Sequence, residues 1–453
     1  MSRPRRTGGA SRIAIVGGGP GGLFTAFHLE RLAGRSVEIT IFESGRRLGG
    51  KVLTPTFTAA AVTYEAGAAE LYDYTPVGED PLRDLVADLG LATVPLGGAT
   101  VIVDGDPLAN LDDVEAVLGT AARREVEAFD ARARGGMTPR ECYAADDVAA
   151  GRPDRFSGFT AGIRHPAARR YVETMIHSDL ATEPGSTSVA YGLQNYLMND
   201  PAYMRLYAIA GGNERLIDAV AARLGARIRL ESRVTAIQPR DDGRFDLVVQ
   251  AAEARPPEPF DAVVLALPIE HLATVECGAG GLAAALRRHL ARFDHPAHYL
   301  RVTALFDEPF WRGRIDGGYL MLDAFDGCCL YDESAREPEP RHGVLGWLLG
   351  GAAAEEWAGR DDADLVAAAL ATLPASLGDP HPHLLETRVH RWINAVSGLP
   401  GGWHPPGVDR RHQPDPAGHP HLFVVGDYLY DSTLNGVLDS AEHVAGWLAA
   451  DLG

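Results

Sequence analysis

The sequence predicts an α/β protein of two interleaved domains. One is a nucleotide-binding domain with a parallel sheet, assembled from three discontinuous segments; the other is an inserted α+β domain with antiparallel sheet. Three observations carry this expectation. A glycine-rich turn lies on a strand-to-helix seam near the N-terminus. Buried-strand and amphipathic-helix patterns return after residue 206 and again after residue 386. The stretch between those returns alternates as antiparallel strands do. At 453 residues the chain is too long for one ordinary core.

The first segment is the most informative. Arg12–Val16 reads R-I-A-I-V, an apolar run with β-branched residues that suits a buried parallel strand. Gly17-Gly18-Gly19-Pro20-Gly21-Gly22 follows, and then Leu23, Ala26, Phe27 and Leu29 at helical spacing. In this pattern Gly17 makes the tight turn, Gly19 lets the backbone approach a pyrophosphate, and Gly22 lets helix and strand pack closely. The free N–H groups and dipole of the helix start then hold phosphate. A second strand, Val37–Phe42, ends at Glu43 and Ser44, with Glu43 placed for a ribose hydroxyl. The whole is a Rossmann-like dinucleotide fingerprint in its βαβ setting.

Residues 76–205 read as mostly helical and loop-rich. Gly211-Gly212 then opens an amphipathic helix carrying Leu216, Ile217, Val220 and Leu224. Strands are expected at Ile228–Ile237 and Phe245–Val249, and a buried strand within Asp261–Pro268. Tyr299–Phe306, Gly318–Leu322 and Val344–Leu349 alternate as antiparallel strands. His421–Gly426 is a strand that runs into Asp427 and a last helix with Val437, Leu438, Ala441, Val444, Ala445 and Leu448 on one face. The expected domains are therefore 1–75, 206–275 and 386–453 for nucleotide binding, and 76–205 with 276–385 for substrate.

Bulk properties exclude some function classes. A formal charge of −19 is opposed to a nucleic-acid partner, which needs a basic face. No apolar run is long enough to span a bilayer, so no membrane partner is expected. The basic N-terminal stretch has no apolar core of its own, so no cleaved leader is expected. Cys142, Cys277, Cys328 and Cys329 form no C-x-x-C pair and suit a reducing cytoplasm; no metal site is expected. The only lysine is Lys51, so any lysine chemistry must use it.

In order along the chain, these motifs resemble the FAD-dependent amine oxidase superfamily, which includes monoamine, polyamine and L-amino-acid oxidases and, more distantly, protoporphyrinogen oxidase and carotenoid desaturases. Arg46-Arg47-Leu48-Gly49-Gly50-Lys51 is similar to the family's second glycine signature, with lysine where arginine is usual. Tyr64 to Leu71, with Gly67, Ala68, Ala69 and Glu70, resembles the segment beside the isoalloxazine ring. Val234 resembles the residue whose backbone meets the adenine. Phe306-x-x-Pro309-Phe310-Trp311 and Arg391-Trp392 resemble two further family motifs. Val425-Gly426-Asp427 with Thr433-Leu434-Asn435-Gly436-Val437 is similar to the C-terminal flavin motif, in which the acid contacts the ribityl-phosphate region and the last helix points its N-terminus at the flavin.

The resemblance implies non-covalent FAD, since no cysteine closely precedes the final motif. It implies oxidation of a C–N bond of an amine or amino acid by hydride transfer to flavin N5, with C–C desaturation as the alternative. A small-molecule substrate and an electron acceptor, O2 or another, are the expected partners, with a homodimer as candidate assembly. Arg301 stands ten residues before Trp311, where many relatives keep a lysine near N5. As a permanent cation it can stabilise anionic reduced flavin or hold a substrate carboxylate; the bland alternative is a pair with an acid such as Asp307. Glu70 can anchor a substrate ammonium or partner an arginine. His177 is a candidate base, and Met175–Ser178 with Tyr191–Tyr196 is a candidate pocket lining. Thr433 replaces a frequent aromatic, so a two-tyrosine amine cage is not evident.

Overall fold

Apolar β-branched runs flanked by glycine form the parallel strands. In the computed structural model, which describes residues 10–98, 100–144, 154–251, 258–278, 280–314 and 317–452, the chain divides into two units. The N-terminal basic stretch, residues 1–9, lies outside the described residues. Unit one comprises residues 1–52, 214–294 and 406–453; unit two comprises 53–213 and 295–405.

Unit one holds a five-stranded parallel sheet in the order Leu422–Val424, Ala262–Leu265, Ser11–Val16, Val37–Phe42, Arg227–Arg229. Its central strand is buried on both faces, as a continuous apolar run predicts. The helices Pro20–Ala33 and Leu434–Leu452 pack against each other. A separate antiparallel sheet joins Arg233–Pro239, Phe245–Gln250 and Pro259–Phe260. The expected single strand Ile228–Ile237 is thus two strands in two sheets. Glu231 between them adopts φ 49°, which turns the chain from one sheet to the other.

Unit two is built on a seven-stranded sheet in the order Leu384–Ser397, Pro296–Phe306, Gly343–Gly350, Cys328–Asp332, Tyr319–Leu322, Thr100–Val103, Asp106–Leu108. All neighbours are antiparallel except Tyr319–Leu322 with Thr100–Val103. The region read as helical and loop-rich therefore supplies the last two strands at one end of this sheet. The two-residue period separates two cores. Leu300, Val302, Leu320, Leu322, Cys328 and Leu330 face one apolar cluster. Tyr319, Met321, Cys329 and Tyr331 face another, under the helices Thr120–Gly136, Pro166–Leu180 and Val189–Leu197. Arg301 pairs in register with Leu348 and His390, out of phase with Leu300 and Val302, so its side chain leaves the first core.

Candidate active site

In unit one the glycines are fixed by close approach. Gly17 has φ 111°, and a Cβ there would lie 2.2 Å from the Ala266 carbonyl oxygen. A Cβ on Gly22 would lie 2.0 Å from the Gly17 carbonyl oxygen. A Cβ on Gly19 would meet nothing nearer than Gly50 Cα at 3.8 Å, and no side chain caps the helix that Gly19 opens. A bare helix N-terminus beside open space suits phosphate.

Glu43 lies against this turn. Its Oε2 accepts from Gly18 N at 2.8 Å and its Oε1 from Gly45 N at 2.6 Å, with Ser44 Oγ at 3.4 Å. The second glycine pair is tied in through Gly49 N donating to the Gly18 carbonyl at 2.8 Å; Gly49 and Gly50 have φ 103° and 52°. Ser232 N donates to the Glu43 carbonyl at 2.8 Å, which brings the strand containing Val234 alongside.

Lys51 Nζ bonds Asp427 Oδ2 at 2.7 Å. The only lysine therefore joins the second glycine signature to the C-terminal motif, a pairing that motif reading does not provide. The last helix is entered through Thr433, whose Oγ1 accepts from Gly436 N at 3.0 Å. A Cβ on Gly436 would lie 2.4 Å from Asp431 Oδ1. Gly426 N donates to Ser440 Oγ at 3.2 Å, and Asn435 and Val437 are buried in the helix's first turn.

In unit two the backbone of the segment Tyr64–Glu70 is held at several points. Glu65 N donates to Glu333 at 2.7 Å. Trp392 Nε1 donates to the Ala66 carbonyl at 2.6 Å, Asn213 Nδ2 to Ala68 at 2.9 Å, and Arg336 Nη2 to Ala69 at 2.9 Å. The Glu65 side chain is 0% exposed and accepts from Arg336 Nη1, Asn213 N and Thr54 Oγ1. Burial pushes its carboxyl upward and Arg336 opposes that shift. Gly67 lies between the anchored carbonyls. Sequence reasoning located this segment but missed Glu65, Asn213, Glu333 and Arg336. The one available signal, an acid among small residues, was assigned to Glu70 although Glu65 shares it.

Glu70 lines a small pocket within unit two, with room for about one water molecule, whose wall includes Asp179, Tyr319, Met321, Cys329 and Tyr331. Burial pushes the Glu70 carboxyl up; a hydrogen bond from Tyr331 and the charge of Arg301 act against it. Burial likewise holds Asp179 well above the usual carboxylate range, and Glu70 adds to the shift.

Arg301 does not line this cavity. Its side chain is 0% exposed, forms an ion pair with Glu333, and stands 5.0 Å from the Tyr331 ring centroid. The expected alternative partner, Asp307, is instead bonded by His383 at 2.9 Å. His177 is also buried away from the cavity, with Nδ1 at 2.9 Å from the Gly327 carbonyl and Nε2 at 3.2 Å from Glu183. Both nitrogens are engaged, so the ring has no free site for a substrate proton. The polar groups of Val189–Leu197 are turned to the protein: Gln194 bonds the Cys142 carbonyl and Asn195 the Tyr191 carbonyl.

A description of flavin containing amine oxidoreductases matches residues 20–448. The chain belongs to that family. It is an FAD-dependent oxidoreductase, as the family is. It is 23% identical over 352 residues to the putative flavin-containing monoamine oxidase AofH of Mycobacterium tuberculosis, covering 74% of this chain and 72% of that one. A shorter match, 35% over 91 residues, relates it to prenylcysteine oxidase 1 of Mus musculus; it covers 20% of this chain and 17% of that protein. Among solved structures, the cyclohexylamine oxidase of Brevibacterium oxydans superposes with TM-score 0.74 at 20% identity over 98% of this chain and 99% of the other. A putative protoporphyrinogen oxidase from Exiguobacterium gives 0.72 at 21% over 98% and 100%. These likenesses establish a mixed α/β fold with parallel and antiparallel sheets. Among the described residues no helix is long and apolar enough to cross a membrane.

Proposed function

We propose that this flavoenzyme oxidises the C–N bond of a small amine or amino acid, with O2 or another acceptor taking the electrons onward. The observation that carries the reading is the pocket of unit two: a small space whose acidic wall groups are Glu70 and Asp179, among tyrosine rings. Such a wall attracts a cationic amine and disfavours a large apolar C–C substrate.

The geometry of unit one fits FAD. The open space over Gly19 and the uncapped helix start would receive the pyrophosphate. Glu43, now turned onto Gly18 N and Gly45 N, would hold the ribose, with Ser44 beside it and the Val234 backbone near the adenine. Gly49, Gly50 and the Lys51–Asp427 pair would face the ribityl-phosphate region, and Asn435, Gly436 and Val437 at the last helix start would face the flavin. The uncapped start of the first helix is the observation that supports this assignment. In unit two, Gly67, Ala68, Ala69 and Trp392 form the segment assigned to the ring side. FAD, when bound, supplies the two-electron acceptor for the hydride from the carbon beside nitrogen.

The chain's own residues bind and orient. Glu70 anchors the amine; the hydrogen bonds to the carbonyls of Ala66, Ala68 and Ala69 hold Glu70's segment still. Arg301 is a positioning residue that acts through Tyr331 and Glu70. His177 braces the helix Pro166–Leu180, which carries Asp179.

Two measurements test the proposal. Denatured protein should release all its flavin to the supernatant. Under anaerobic conditions, small primary amines or amino acids should bleach the flavin absorbance. Bleaching only by a tetrapyrrole or a polyene would replace this reading with the desaturase one.

A further inference from the structure

We infer that Arg411 is a positioning residue for the flavin: with His412 beside it, it clamps the turn Asp427–Leu429 and so holds Asp427 where it meets Lys51. The inference rests on the FAD assignment proposed above and deepens it, with a residue outside every motif read from the sequence.

The turn needs support from outside itself. Asp427–Leu429 is a single 3-10 turn, in which Leu429 N donates to the Gly426 carbonyl at 3.3 Å and Tyr430 N to the Asp427 carbonyl at 3.0 Å. So short a turn has too few hydrogen bonds to hold its own shape. Yet it carries the Asp427 carboxylate, which is bonded to Lys51 Nζ at 2.7 Å. The two side chains are 11% and 29% exposed, so the pair stays partly accessible.

Arg411 and His412 supply that support on both sides of Asp427, and both are buried. Arg411 Nη1 donates to the Leu429 carbonyl at 2.9 Å, and its guanidinium carbon stands 5.2 Å from the Tyr430 ring centroid. Its Nε donates to the Pro406 carbonyl at 2.7 Å, which ties the group to the loop that carries it. His412 grips the strand that leads into the turn. Val424 N donates to the His412 carbonyl at 2.9 Å, and His412 Nδ1 lies 3.0 Å from the Val424 carbonyl. A carbonyl only accepts, so Nδ1 carries the proton and Nε2 accepts from the Tyr430 hydroxyl at 3.4 Å. Burial lowers the ring's pKa to about 3, which keeps it in that neutral form. Enclosing a guanidinium is a costly way to fill space. Its fixed fork of donors does what a single ammonium does poorly: it joins two carbonyls of separate segments at once.

The test follows FAD release. Holoenzyme is diluted well below its melting temperature, and the rise of free-flavin fluorescence gives the release rate. Asp427→Asn and Arg411→Met should each speed release roughly tenfold or more, the worth of one charge-assisted hydrogen bond. Because Arg411 acts through Asp427, the double variant should release no more than about threefold faster than the faster single variant. A residue needed only for folding would lower the melting temperature and leave release from the folded protein unchanged. If Arg411→Met does not fold, Arg411→Lys takes its place in the same cycle, since it keeps the charge and loses the fork. Suppose Asp427→Asn speeds release. Then unchanged release from the position-411 variant, or effects that multiply in the double variant, would overturn the inference and leave the FAD assignment standing. Release unchanged by Asp427→Asn would overturn the FAD assignment at Asp427, and the inference with it.

Discussion

Replacing Arg301 with methionine isolates the role of the buried cation. In the native protein its guanidinium and the Glu333 carboxylate are 0% and 3% exposed and paired with each other. The variant leaves Glu333 with the Glu65 N–H and no cation. Breaking a buried pair from one side costs about 3–5 kcal/mol. Two features place the cost near the lower end. Arg301 Nε and Nη1 have no hydrogen-bond partner, so methionine removes atoms that were already poorly satisfied, and its chain replaces most of the apolar stem. About 3 kcal/mol corresponds to roughly 5 °C in melting temperature for a unit of this size. Thermal unfolding of the holoenzyme, followed by flavin fluorescence and circular dichroism, measures it. Adding Glu333→Gln should recover at least half the loss, because no lone charge is then buried. A single variant within about 0.5 kcal/mol of native, or strictly additive losses, would refute the reasoning. A positioning role adds a readout that packing alone would not move. Arg301 lowers the Glu70 pKa, so its removal should shift the pH dependence of amine-driven flavin bleaching to higher pH.

Three further outcomes follow from the same geometry. Glu43→Ala should weaken FAD by about 10–100-fold, the worth of one or two charge-assisted hydrogen bonds, read by titrating apoprotein against free-flavin fluorescence. For His177, burial lowers the pKa, but Glu183 and the Gly327 carbonyl outweigh it and the net shift is upward, while Glu183 is held low. The raised histidine contributes stability below about pH 6.5 that is lost as pH rises through its folded pKa; the lowered Glu183 contributes above about pH 4.3 and fails as pH falls. Urea midpoints of native and His177→Gln should therefore differ most between those values, and parallel curves across pH would count against the pair. Trp392→Phe removes one donor from the Ala66 carbonyl and should cost about 1–2 kcal/mol, with faster amide exchange confined to residues 65–70.

The parts legible in the sequence are those whose causes are local. Gly22 is dictated by a contact within its own turn and Gly17 by its positive φ, and the spacing to Glu43 follows from one βαβ unit. The unread parts depend on partners far along the chain. Ile228–Ile237 looks like one strand because alternation does not reveal which sheet each half joins; the turn at Glu231 decides it. Arg301 was singled out, but its partner lies 32 residues on, while the nearer Asp307 belongs to His383. Glu65 and Glu70 are five residues apart in one segment and look alike in sequence. What separates them is Asn213, 148 residues away, and Arg336, 271 residues away.

Those distant partners also account for the arginine at position 301. The two ion pairs Arg301–Glu333 and Arg336–Glu65 fix the backbone of the Glu65–Glu70 segment, through Glu65 N and the Ala69 carbonyl. In doing so they neutralise the two cations nearest the cavity. Glu70 and Asp179 are left as its acidic wall groups. A lysine at 301 would present a compact, strongly hydrated charge whose pKa falls readily on burial. Guanidinium stays charged even when fully enclosed, and here it pairs with Glu333, the acceptor for Glu65 N. The departure from lysine thus trades a group able to exchange protons for a permanent structural cation.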